Sequence, residues 1–169
     1  MATALISVEG VLGEHSQIHG FYPIPDGLRL ARAIHSTFQV VFSTLQDDPT
    51  GTEFWLRMNG MARPSFYEEL VHRQRTDLDE DIIAKHAQAL RAGGADVGMV
   101  ISGDPEGILA VTELGFPSLL FVNPSYRWAE YRPDRKRLPR PWQDIDDEVT
   151  RQRVLKASDP RLNNTEESA

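Results

Sequence analysis

Short apolar runs alternate with amphipathic stretches from the N-terminus to about residue 123, and the pattern then stops. Leu5 to Val8 is apolar and is broken by Gly10, which predicts a buried first strand. Residues 13–25 hold Gly, His, Ser and two prolines and read as a loop. Pro25-Asp26-Gly27 then opens an amphipathic helix, with Leu28, Leu30, Ala31 and Ile34 at helical spacing. Gln39 to Phe42 is the next strand, ending at Ser43-Thr44, and Asp47-Asp48-Pro49-Thr50-Gly51 is turn chemistry.

From Thr52 to Arg75 the pattern is weaker. Thr52 reads as the cap of a short helix through Phe54, Trp55 and Met58, stopped by Asn59-Gly60. Pro64 or Ser65 reads as the start of another, through Phe66, Leu70 and Val71. Asp77 to Arg91 is a helix with Ile82, Ile83, Ala87 and Leu90 on one side, closed by Gly93-Gly94. A strand (Val97 to Ile101), a helix (Glu106 to Leu114) and a strand (Ser118 to Val122) complete the series. Strands alternating with helices in this order predict a three-layer, Rossmann-like α/β sandwich around a mostly parallel sheet.

That domain is expected to cover residues 1–123. Residues 124–169 form an extension rich in Arg and aromatic residues, predicted to be disordered from about Ser158 onward. Trp142, Ile145 and Val149 are spaced to anchor a final helix or to dock on a partner. The whole chain of 169 residues suits one well-buried domain with a tail. A formal net charge of -7 argues against nucleic-acid binding by the whole domain, though not by a local basic patch. With no cysteine, neither disulfides nor thiolate metal sites hold the fold. No apolar run is long enough to span a bilayer, and the N-terminus lacks a secretion signal. The expected location is the cytoplasm. Basic residues are mostly Arg, with lysine only at 85, 136 and 156, which suggests a GC-rich coding sequence.

Two segments invite a functional reading. Leu5-Ile6-Ser7-Val8-Glu9-Gly10-Val11-Leu12 and Val100-Ile101-Ser102-Gly103-Asp104 both run from a strand into a Gly-containing turn. An open α/β sheet places its ligand at such strand ends. The first segment resembles the opening motif of haloacid dehalogenase (HAD) superfamily phosphatases, an apolar strand followed by Asp-x-Asp-Gly-(Val/Thr)-(Leu/Val). Pro23-Ile24-Pro25-Asp26-Gly27 is similar to that family's lead into its second motif, which Val40-Val41-Phe42-Ser43 matches. Lys85 falls about where the family's phosphate-binding lysine would stand. Gly103-Asp104, with Ala110 and Leu114-Gly115-Phe116-Pro117, is similar to the fourth motif and its continuation. Order and spacing over residues 4–123, rather than any one motif, carry the resemblance.

It implies a site at Ser7, Glu9, Gly10, Ser43, Thr44, Lys85 and Asp104, with Mg²⁺ as the cofactor and Asp104 as a metal ligand. The departures bear on chemistry. In the family the first Asp attacks phosphorus and ligates Mg²⁺, and the second is the general acid/base; here these positions hold Ser7 and Glu9. A hydroxyl without an adjacent base is a poor nucleophile and offers no charge to a hard cation. Glu9 could shuttle a proton, although its extra methylene displaces the carboxyl. Gly107 and Ile108 occupy the region of the second metal carboxylate, with Glu106 nearby.

Bland readings compete with these. Ser43 and Lys85 are as readily a strand-end serine and a solvated lysine as a phosphate site, and Asp104 before a helix is a good N-cap whatever the function. His15 and His19 lie in the expected loop, which gives no metal geometry. His35, His72 and His86 read as ordinary helix residues. Arg127, Arg132, Arg135, Lys136, Arg137 and Arg140, interleaved with Tyr126, Trp128 and Tyr131, could bind phosphates or stack on bases, but wrapping against the acidic body is preferred. The expectation is therefore a catalytically degenerate HAD-like protein, of a kind a phage could encode, that binds a protein or a phosphorylated small ligand. The alternatives are a Mg²⁺-dependent phosphohydrolase or nucleotidase using Glu9 and Asp104, and a nucleic-acid accessory protein.

Overall fold

A computed structural model describes residues 1–16, 20–74, 82–124 and 142–159. The chain divides into two compact units, Met1–Phe121 and Val122–Ala169. In the first, β1 (Thr3–Ser7) is followed by β2 (Gly13–Ser16), β3 (Gly20–Pro23), α1 (Pro25–His35), β4 (Gln39–Thr44) and α2 (Thr50–Met58). Next come β5 (Glu69–His72), α3 (Ile82–Ala92), β6 (Val97–Ser102), α4 (Pro105–Glu113) and β7 (Ser118–Leu120). In the second unit the described element is α5 (Trp142–Ser158).

Five strands form one sheet in the order β5-β4-β1-β6-β7, and every pairing in it is parallel. Alternation along the strands divides the core. Ile6, Val40, Phe42 and Leu70 face Leu28 and Ala31 of α1 and Leu56 of α2. Leu5, Val41 and Val100 face Ile83, Ala84 and Ala87 of α3 and Val111 of α4. Both faces of the sheet are thus covered by helices, which is why β1 is buried along its whole length. The expected three-layer α/β sandwich is what forms.

Three local expectations are corrected. Residues 13–25 are not simply loop, since β2 and β3 pair as an antiparallel hairpin. The Phe21 ring meets Trp55 of α2 edge-on and lies tilted against the His15 ring, and the Tyr22 hydroxyl donates to Glu14. These contacts hold a ribbon whose Gly, His and Ser content looks like loop. No helix runs from Pro64 or Ser65 to Val71; instead Glu69–His72 becomes a fifth strand, registered on Val41–Thr44. Leu70 and Val71 pack on opposite sheet faces, so burial on both sides overrides the helical spacing. His72 consequently stands on a strand rather than a helix.

Other boundaries follow local chemistry. Helix α2 begins at Thr50, whose N–H and hydroxyl both donate to Asp48. Those hydrogen bonds, the one from the hydroxyl first, hold the Asp48 carboxyl below its ordinary pKa. Thr52 is buried inside the helix rather than capping it. Gly60 then turns with φ +76° as expected of a helix stop. Tyr67 lies buried beside Phe42, and that burial raises its phenol pKa. Helix α3 is described from Ile82 onward, so the start expected at Asp77 lies outside the described residues. The same holds for His19, for the basic residues Arg127 to Arg140 and for the terminus beyond Asp159.

Candidate functional site

The strand order reverses at β1. From there the chain moves outward through β4 and β5 on one side and through β6 and β7 on the other. Connections leaving β1, β4 and β6 therefore part to opposite faces, and a crevice opens beyond their carboxyl ends. Ser7 ends β1, Ser43 and Thr44 end β4, and Ser102 ends β6, with Gly103 and Asp104 just beyond. Ser7 and Ser43 are direct register partners across the parallel pair.

The two motif turns touch. Gly10 has φ +80°, and a Cβ there would stand 3.3 Å from Gly103 Cα. A Cβ on Gly103 would meet the Gly10 carbonyl oxygen at 2.6 Å. Only a backbone without side chains at both positions allows this approach, so the glycines bring the loops after β1 and β6 into one site.

Each polar group there has a structural partner. The buried Ser7 hydroxyl donates to the carbonyl oxygen of Glu9 at 3.0 Å. Glu9 Oε1 accepts from the Thr44 hydroxyl at 2.7 Å, and Oε2 accepts from the Leu45 N–H at 3.1 Å. Asp104 caps α4, accepting from the N–H groups of Glu106 at 3.3 Å and Gly107 at 3.0 Å. The Asp104 N–H in turn donates to the Ser102 hydroxyl. The N-cap expected of Asp104 is present.

Ser43 is only 2% exposed, and its hydroxyl lies 2.8 Å from His86 Nδ1. His86 Nε2 lies 3.2 Å from the carbonyl oxygen of His72. A carbonyl only accepts, so Nε2 donates to the His72 carbonyl, and Nδ1 pairs with the Ser43 hydroxyl. Lys85, one residue earlier on α3, is exposed. The His86 ring is what reaches Ser43. The periodicity of α3 marks position 86 only as one of several buried positions. Its partner is 43 residues away in sequence, and no local signal joins them.

Among the described residues, no group of three or more histidine or carboxylate side chains is placed to hold a metal ion. At position 107 a Cβ would meet Ile83 Cγ2 at 2.8 Å and Asp104 Oδ2 at 2.9 Å. Ile108 is buried in the core. Close packing of α4 on α3 thus leaves no free space for a side chain at position 107.

No protein-family model matches the chain, and no curated protein does. Solved structures do match. A HAD family enzyme from Bacteroides thetaiotaomicron, solved as a magnesium complex, is 11% identical with a TM-score of 0.51. The match covers 78% of this chain and 98% of that one. The chain has the HAD-like fold. The core domain of a putative phosphoglycolate phosphatase from Streptococcus pneumoniae also matches, at 14% identity and a TM-score of 0.45. That match covers 75% of this chain and 83% of the other. Within the HAD-like frame, Ser7 and Glu9 stand at the end of the first strand and Asp104 at the end of its neighbour β6. No described helix is long and apolar enough to cross a membrane.

Proposed function

We propose that this HAD-like protein acts by binding and not by phosphoryl transfer. The reading is supported by Ser7, which the motif resemblance sets at the position of the nucleophilic carboxylate in a phosphatase of this fold. Its hydroxyl proton is held by a backbone carbonyl, which is no general base.

Magnesium does not fit the residues present. The ion requires several oxygen ligands in a near-octahedral shell, with carboxylates supplying the charge. Ser7 is neutral, the Glu9 carboxylate is engaged by Thr44 and Leu45, and Asp104 is engaged by the first turn of α4. Position 107 has no room for a side chain without displacing Ile83. The ligand class that suits the site is a phosphorylated small molecule or an acidic group of a protein partner, taken up at the ends of β1, β4 and β6.

A screen of phosphomonoesters with Mg²⁺ tests this. The wild-type chain is expected to show no turnover above background, and the Ser7→Asp, Glu9→Asp double variant is expected to gain it. Wild-type turnover that is abolished by Glu9→Gln or Asp104→Asn would overturn the reading. It would favour a phosphohydrolase built on these two acids, for which the contact between the Gly10 and Gly103 turns is the supporting observation.

A further inference from the structure

Helix α2 has an inner and an outer face. Thr52 and Leu56 are buried, and Trp55 packs against the core and the Phe21 ring. The outer face bears Glu53, Phe54, Arg57 and Met58, all exposed. Phe54 is 56% exposed and Met58 69%. Two large apolar side chains one turn apart form a short stripe on the helix surface. Gly51 continues it by a further turn, and nothing lies within 4 Å of the place a Cβ there would take.

Charge runs along one flank of that stripe. Glu53 stands in the first turn of α2 and Arg57 in the last, four residues apart and so on one side of the helix. Among the described residues neither has an ion-pair partner. Arg57 instead lies over the Phe54 ring, 5.4 Å from its centroid. A guanidinium covering a ring with its face keeps its edge donors for a carboxylate. The order of the two signs selects the partner. Two copies of α2 packed in parallel would set Glu53 against Glu53 and Arg57 against Arg57. Packed antiparallel about a two-fold axis near Trp55, each Glu53 meets Arg57 of the other copy, because both positions lie equally far from 55. The same arrangement lays each Met58 beside Gly51 and Phe54 of the other copy, where the helix leaves open space. A surface that complements itself in this way meets the condition for an isologous interface.

We infer that the outer face of α2 is a self-association surface, and that its occupant is α2 of a second copy in antiparallel orientation. The helix is only about 14 Å long. It supplies less than the roughly 1,200 Å² of a standard interface, so the dimer is weak and fills only at high concentration. The inference is independent of what the strand ends of the sheet bind.

Sedimentation equilibrium of the full chain tests it, at about 0.15 M salt to screen the net charge of -7 on each copy. The weight-average mass is expected to rise from 19.0 kDa toward twice that value between about 10 μM and about 1 mM protein. Phe54→Ser removes the apolar contact without touching the core, and a monomer is expected at every concentration. Glu53→Arg or Arg57→Glu alone brings like charges together at both symmetry-related contacts. Each is expected to raise the dissociation constant at least about tenfold. The double variant Glu53→Arg, Arg57→Glu exchanges the signs and is expected to return it to within about threefold of the wild type. A double variant no tighter than the single ones overturns the antiparallel register. A dimer that survives Phe54→Ser overturns α2 as the surface. A mass of 19.0 kDa throughout overturns the pairing and leaves the stripe to a partner of another kind.

Discussion

The ring of His86 is fixed at both nitrogens, between the Ser43 hydroxyl on β4 and the His72 carbonyl at the end of β5. Its energetic weight comes from burial, because a buried donor or acceptor left unpaired carries its full desolvation cost. Ser43→Ala removes the partner of Nδ1 and is expected to destabilise the fold by about 1–3 kcal/mol. His86→Ala removes both contacts and a buried ring, so it should cost more than Ser43→Ala. Urea unfolding of the two single variants and the double variant reads the coupling directly. If the bond matters as described, the double variant loses clearly less than the sum of the singles. Full additivity would show that Ser43 and His86 contribute independently. None of this is visible along the chain, where position 86 looks like one more buried residue of an amphipathic helix.

At the scale of elements, legibility followed burial. β1, β4 and β6 are central strands buried by helices on both sides, so they read as continuous apolar runs. The hairpin and β5 are short and lie outside that center. Gly13, His15 and Gly20 disguise the hairpin, and Leu70 with Val71 also suits a helix. The end of β6 was legible for a different reason, since Asp104-Pro105 is capping chemistry in its own right. This bears on what Asp104 does. As an N-cap it is replaceable by Asn, which accepts the same backbone N–H groups, whereas a metal ligand is not. Asp104→Ala is expected to lower stability by about 0.5–2 kcal/mol and Asp104→Asn by much less. Mg²⁺ should shift neither the wild-type melt nor that of Asp104→Asn. A Mg²⁺-dependent stabilisation of the wild type that Asn abolishes would assign Asp104 to a metal instead.

At the scale of the whole molecule, charge is divided unequally. Residues 1–123 carry eight basic and sixteen acidic side chains, whereas residues 124–169 carry ten basic and nine acidic ones. The acidity thus belongs to the HAD-like unit, and it opposes nucleic-acid binding by that unit. Among the described residues, both core clusters that cover its sheet draw only on residues up to Phe121. A chain ending at Asn123 is therefore expected to fold alone, with a cooperative thermal melt and a far-UV spectrum of mixed helix and strand. A molten profile without a cooperative transition would show that the core needs residues beyond Asn123. The same truncation tests the basic segment. Because counterion release makes phosphate-backbone contacts steeply salt-dependent, six basic residues acting together would give binding that weakens sharply as salt rises. The expected result is that the full chain holds no single-stranded nucleic acid at about 0.15 M salt, where the Debye length is about 8 Å and the charges of the tail act only locally. Salt-sensitive binding by the full chain that disappears in the truncated one would move the function from the strand ends of the sheet to residues 126–140.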